Sequence, residues 1–108
     1  MIHYEVTLEC SESTAPALEH WMRNTHIPDM LDTGCFVAIH FDRNDGRFRT
    51  VYQATSRQQL DRYLADHAPR LREHFQKQFP SGVAVSRETW DQLQEWDRES
   101  RAAGHEQP

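Results

Sequence analysis

The sequence predicts one α+β domain of order β-α-β-β-α-β, and three observations carry that prediction. Residues 2 to 10 alternate between apolar and polar, the two-residue period of a half-buried strand. Asn44-Asp45-Gly46 separates two runs rich in β-formers, which is a hairpin signature. Two further segments, beginning near Pro16 and Ser56, repeat their apolar residues at helical spacing. A four-stranded antiparallel sheet with two helices on one face is the packing this order favours.

In the first strand Ile2, Tyr4, Val6, Leu8 and Cys10 point one way, and His3, Glu5, Thr7 and Glu9 the other. Ser11 to Pro16 supplies capping residues and a proline suited to a first helical turn, after which Leu18, Trp21, Met22 and Thr25 recur at helical spacing. Pro28 interrupts that helix and Gly34 stops it. Cys35 to Arg43 reads as the second strand, and Arg47 to Ala54 as the third, with Phe48, Thr50 and Tyr52 opposite Arg49, Val51 and Gln53. Ser56 with Gln59 forms a capping-box pattern. Leu60, Tyr63, Leu64, His67, Leu71, Phe75 and Phe79 then make one stripe of a long helix, with Asp66–Arg70 and Glu73–Lys77 paired on its outer side. Pro80-Ser81-Gly82 ends it and Val83 to Glu88 gives a fourth strand. Thr89 with Gln92 reads as the cap of a short last helix holding Trp90, Leu93 and Trp96. Residues 1–90 therefore form a ferredoxin-like domain, and residues 91–108 an acidic extension with a frayed end. The sheet face away from the helices is left bare. A second copy packed against it, giving a homodimeric α+β barrel, is the expected remedy.

Composition removes several classes of function. A chain of 108 residues holds one domain. Its net charge of −5 lies mostly in residues 91–108, which carry three of the five negative charges, so the domain is near neutral and no nucleic acid is expected as partner. The β-α-β-β-α-β order is shared with RNA-recognition domains, and Gly46 to Tyr52 superficially resembles their third strand. The glycine that motif needs is missing, however, Tyr4, Phe48 and Tyr52 have the helix-facing register, and Glu5 and Glu9 on the open face would repel phosphate. The longest apolar run, Cys35 to Ile39, is five residues, against roughly 20 for a membrane span. A cytoplasmic protein without a leader or a membrane partner is expected. Two cysteines exclude a disulfide framework and a four-cysteine zinc site. No two histidines are spaced i,i+4, and His67 and His74 lie roughly 10 Å apart along a helix, so neither a metal nor a cofactor is expected. His3 beside Glu5 suggests a proton-transfer pair, but a cross-strand ion pair from Arg49 to Glu5 or Glu9 is the stronger reading.

One feature repeats. Met22 to Met30 and Tyr63 to Leu71 share the pattern apolar, three residues, His-x-Pro-x-apolar. A residue preceding proline is pushed from helical geometry, so each pattern predicts a kink or break just after His26 or His67. Each imidazole is thereby placed near a helix terminus, and the internal pseudo-two-fold of the fold brings the two toward one end of the helical layer. His67 on its stripe reads first as a core histidine bonded to a carbonyl, and His26 as partly exposed. The sharper reading makes both catalytic, lining a helix–sheet cleft as general bases. Tyr4, Trp21 and Tyr52 are then candidate walls, with Gln53 and Arg87 as polar contacts.

Trp21 to Phe36, Tyr63 to Leu71 and the fourth strand running into Arg87-Glu88-Thr89 resemble an uncharacterised bacterial domain-of-unknown-function family, similar in outline to the dimeric α+β barrel proteins. The resemblance spans roughly residues 1–90 and implies a fold and a homodimer. The wider barrel superfamily includes monooxygenases, haem-degrading enzymes, isomerases and decarboxylases that hold aromatic or haem-like ligands between helices and sheet. By that analogy Trp21, His26, Asp29, Gln53, His67 and Arg87 are the positions of interest. A small aromatic or apolar ligand is implied, with cofactor-independent proton transfer or oxygen chemistry if the protein is an enzyme. The rival reading is a non-catalytic binding or interaction module whose cleft is filled by its own side chains.

Overall fold

The structure, a computed structural model, describes residues 1–99. Its elements are β1 (Ile2–Cys10), α1 (Ala15–Trp21), a π-helical turn (Met22–His26), α2 (Ile27–Asp32), β2 (Ala38–Asn44), β3 (Arg47–Ala54), α3 (Arg57–Asp66), α4 (Ala68–Gln78) and β4 (Val83–Asp91). The strands pair antiparallel in the order β2-β3-β1-β4. This is the α+β, ferredoxin-like arrangement.

Alternation along β1 and β3 decides what the sheet buries. Tyr4 pairs with Tyr52 and Leu8 with Phe48 across the central ladder, and all four are buried under the helices. Two apolar clusters result. One gathers Tyr4, Met30, Phe36, Tyr52, Tyr63 and Leu71, and the other Leu8, Leu18, Met22 and Phe48. Full burial of such side chains stabilises the fold by about 1.5–3 kcal/mol each.

The hairpin forms as expected, with Asn44 paired to Arg47. Asp45 takes a positive φ of 54°. Gly46 is needed for another reason: a Cβ there would lie 2.5 Å from the Cys10 carbonyl oxygen, and the Cys10 N–H donates to the Gly46 carbonyl at 2.9 Å.

Three elements differ from the sequence reading. First, β2 starts at Ala38 rather than Cys35. Cys35 and Phe36 are buried ahead of the strand, and pairing begins where the Val37 N–H donates to the Gln53 carbonyl at 2.8 Å. Second, the helix from Ser56, read as one long stripe, is two helices; the break that the second His-x-Pro motif predicts falls at His67, whose φ of −123° leaves the helical region. The Ser56 cap is in place, accepting from the Gln59 N–H at 3.2 Å. Lys77 pairs with Glu73 at 3.3 Å, but Asp66 and Arg70 straddle the break and form no ion pair among the described residues. Third, no helix starts at Thr89. β4 continues to Asp91, pairing Thr89 with Tyr4 and Trp90 with His3. β1 presents its whole length as a template, and successive ladder bonds outweigh a single side-chain cap. Residues 92–97 carry no regular secondary structure, and the expected frayed end lies outside the described residues. No helix among the described residues is long and apolar enough to cross a membrane.

Candidate functional site

The first His-x-Pro motif shapes the site through its backbone. Pro28 has no N–H to give and its ring crowds the carbonyl one turn upstream. The chain accommodates it by widening that turn: the Ile27 N–H donates five residues back, to Met22. His26 (φ −69°, ψ −49°) and Ile27 (φ −64°, ψ −45°) stay helical. The expected kink is thus a π turn. Its extra residue rotates the preceding helix by roughly 100° against the following one. Leu18, Met22 and Met30, on either side of it, are all at most 1% exposed.

The same turn places His26. Its ring stacks on Trp21 at 5.3 Å and 24° and meets Phe75 edge-on at 5.8 Å. Nδ1 is sealed from solvent and has no hydrogen-bond partner among the described residues. His26 lines a cavity of about 30 Å³ between helices and sheet. Tyr4, Tyr52, Tyr63 and Met30 line it from one apolar cluster and Leu8 and Met22 from the other, so the cavity lies at their seam. Arg72 of α4 and Arg87 of β4 complete its charged lining. The volume matches one water molecule.

Burial pushes the His26 imidazole down to about 4, with Asp29 opposing the shift and His74 and Arg87 adding to it. The ring is therefore neutral at pH 7. Burial also raises Tyr52 and Tyr63 well above the ordinary phenol range, so both stay protonated. Arg72 Nη2 donates to Tyr4 Oη at 3.0 Å. Tyr63 Oη donates to Met30 Sδ at 3.2 Å, a weak acceptor that competes poorly with a ligand oxygen.

Of the residues singled out in the sequence, Tyr4, His26, Tyr52 and Arg87 meet at this cavity. Trp21 acts from behind His26 through its stacked ring. Asp29 Oδ2 lies 3.9 Å from His74 Nδ1 and reaches His26 electrostatically. Gln53 faces the other side of the sheet, its Nε2 3.5 Å from His40 Nε2. His67 does not line the cavity. It stacks on Tyr63 at 6.5 Å, and its Nδ1 is 3.3 Å from Arg70 Nη2 at the surface. Tyr63 stood on the apolar stripe, where its hydroxyl was the unused signal. Arg72 was missed: it sits one residue past Leu71 on the flank of that stripe, where a long side chain reaches inward and periodicity carries no mark of it.

The open sheet face carries the expected cross-strand pairing. Arg49 lies 3.8 Å from Glu5 and 2.9 Å from Asp42, and the Trp90 indole N–H donates to Glu5 at 3.2 Å. A larger open groove of about 860 Å³ between α1 and the hairpin is crossed by charges already paired, with Glu19 3.0 Å from Arg43 and 3.7 Å from Arg23. Among the described residues no group of three or more His, Cys, Asp or Glu is placed to hold a metal ion.

Residues 1–93 match the family described as domain of unknown function DUF4286. The chain belongs to that family. This DUF4286 chain is also similar in fold to solved structures of low identity. One, from Deinococcus radiodurans, is described as a candidate antibiotic biosynthesis monooxygenase, with a TM-score of 0.65, 13% identity and coverage of 90% of this chain and 97% of that one. Another is the haem degrader MhuD of Mycobacterium tuberculosis, with two haems bound in its active site: TM-score 0.67, 11% identity, coverage 90% and 100%. A third is a dimeric ferredoxin-like protein from an uncultured marine organism, with a TM-score of 0.63, 13% identity and coverage of 91% and 100%. No curated protein matches the DUF4286 sequence.

Proposed function

We propose that this protein is a homodimer that binds a small aromatic or apolar molecule in the helix–sheet cavity, with His26 as the proton-accepting group if the bound molecule reacts. The observation that carries this reading is the His26 Nδ1, buried without a partner beside a cavity lined by three tyrosines. A ring nitrogen in that state breaks no internal hydrogen bond when it engages a ligand. Its neutrality at pH 7 keeps a lone pair available, and a base this desolvated gains strength when charge develops beside it. One protein of similar fold is described with two haems bound in its active site, which supports a small-molecule ligand for this fold.

The rival reading, a non-catalytic module with a self-filled cleft, draws on the cavity volume of about 30 Å³, since an apolar cavity that binds benzene is roughly 150 Å³. A thermal-shift panel of one- and two-ring aromatics separates the two. Under the proposal at least one compound raises Tm by several degrees at about 100 times its Kd, and His26→Phe removes the shift. A panel without any shift in the wild-type protein favours the self-filled cleft.

Assembly belongs to the same proposal. Trp90 is 51% exposed on the bare sheet face, and Glu5 there is already paired with Arg49 within its own chain, which lowers the cost of burying it against a second copy. Sedimentation is expected to show a species of twice 12.8 kDa that Trp90→Glu dissociates. A wild-type monomer at micromolar concentration overturns the dimer. Cys10 and Cys35 are free thiols, as suits a reducing cytoplasm.

A further inference from the structure

We infer that the ligand of this cavity is an organic anion, a small carboxylic acid with an apolar body, recognised by Arg72 and Arg87; the inference rests on the cavity being a ligand site. Two guanidinium groups, one from α4 and one from β4, line the same small space, and no Asp or Glu lines it with them. Among the described residues neither has a carboxylate within ion-pair distance, a state shared with several surface arginines; what sets these two apart is that they line one cavity together. Like charges brought to one site raise its free energy until an anion joins them, and the fork of an arginine matches a carboxylate with two parallel hydrogen bonds.

The neutral groups agree with this polarity. Arg72 donates to Tyr4 Oη, which leaves that hydroxyl's own proton to point toward an acceptor. Apart from this cationic rim, the lining of Val6, Leu8, Met22, Met30, Phe75 and Val85 suits a hydrocarbon rather than a sugar or an inorganic ion. Both arginines are exposed, so the cavity opens to solvent at their end. Moving Arg72 aside breaks its hydrogen bond to Tyr4, which a bound carboxylate replaces, and the unbranched Met22 and Met30 can repack around an entering ring. A carboxylate would then stay at the rim with its apolar part inside. Such an anion would lie beside His26, whose ring also feels the charges of Asp29, His74 and Arg87. It would hold the imidazolium form of His26 more favourably than the empty site does, which couples anion binding to proton uptake.

The test uses the full chain with 1-naphthoate and its neutral isostere 1-naphthamide, measured by calorimetry at pH 7. The expected result is binding of naphthoate about 10-fold or more tighter than naphthamide, with a preference that shrinks as salt is raised. In Arg72→Gln/Arg87→Gln the preference for naphthoate over naphthamide should disappear. The double lysine variant should restore part of it, and circular dichroism checks that each variant folds. Equal affinity for the two compounds in the wild-type protein, or a preference that survives the double glutamine change, overturns the anion inference and leaves the cavity reading standing. Binding of neither compound overturns both. Inorganic phosphate binding as tightly as naphthoate also overturns it, since the apolar body would then contribute nothing.

Discussion

The two His-x-Pro junctions share a local sequence and end in different structures. At the first, the helix remains continuous through a π turn, and His26 is pressed between Trp21 and Phe75 with a ring nitrogen sealed inside. At the second, the helix breaks at the histidine itself, and His67 meets the guanidinium of Arg70 at the surface. Both prolines do the same local job, sitting in the first turn of the helix that follows. What differs is the demand on either side. The first junction must keep Leu18, Met22 and Met30 buried together, which needs a rotation but no change of direction. The second has Ala68 and Leu71 to bury immediately after it, and a break in φ at His67 re-aims α4 to do so. A proline motif therefore marks where a helix must change, and the neighbouring core decides how.

The largest effect is expected from removing the extra residue of the π turn. Deleting Asn24, whose side chain is exposed, would regularise the helix and rotate Leu18 and Met22 out of register with Met30. Losing burial of one large side chain costs about 2–5 kcal/mol, read as a drop in the urea midpoint. An unchanged midpoint would mean the π turn is incidental, and the contrast between the junctions would collapse.

Next comes pH. His26 is held at about 4 in the folded protein against 6.5 for an ordinary histidine, so the folded state binds fewer protons than the unfolded one between those values. Its contribution is fully present above pH 6.5 and is lost as pH falls through about 4, up to roughly 3 kcal/mol. His26→Phe should flatten that acid limb of the stability curve. An acid limb that keeps its depth in His26→Phe would place the titration elsewhere.

The smallest effect separates the two rings directly. His26→Ala removes a ring from an aromatic stack but also an unpartnered nitrogen, for a net loss of about 1–2 kcal/mol. His67→Ala removes a half-buried ring stacked on Tyr63 alone and should cost less, about 0.5 kcal/mol. Thermal unfolding followed by circular dichroism checks both, and equal losses would make the junctions energetically alike.

Elements with a local signal were legible. Alternation located β1 and β3, Asn44-Asp45-Gly46 located the hairpin, and the Ser56 cap located the start of α3. The end of β4 was not, because Thr89 and Trp90 have helix-start chemistry locally and become strand only when β1 lies alongside. At the site, Tyr4, His26, Tyr52 and Arg87 could be named in advance. Gln53 could have been set aside, since it follows Tyr52 in a strand and alternation sends neighbours to opposite faces. His67 and Arg72 could not be sorted, because both flank or occupy the same stripe, and the choice between cavity and solvent depends on the backbone break between α3 and α4.

By itself the sequence determined the order of elements and the face each strand buries, because alternation, helical spacing and turn chemistry act over a few residues. Tertiary structure alone decided which histidine meets the cavity and which arginines join it there. Those outcomes depend on rotations of helices against the sheet, and such rotations are set by the packing of residues far apart in the chain.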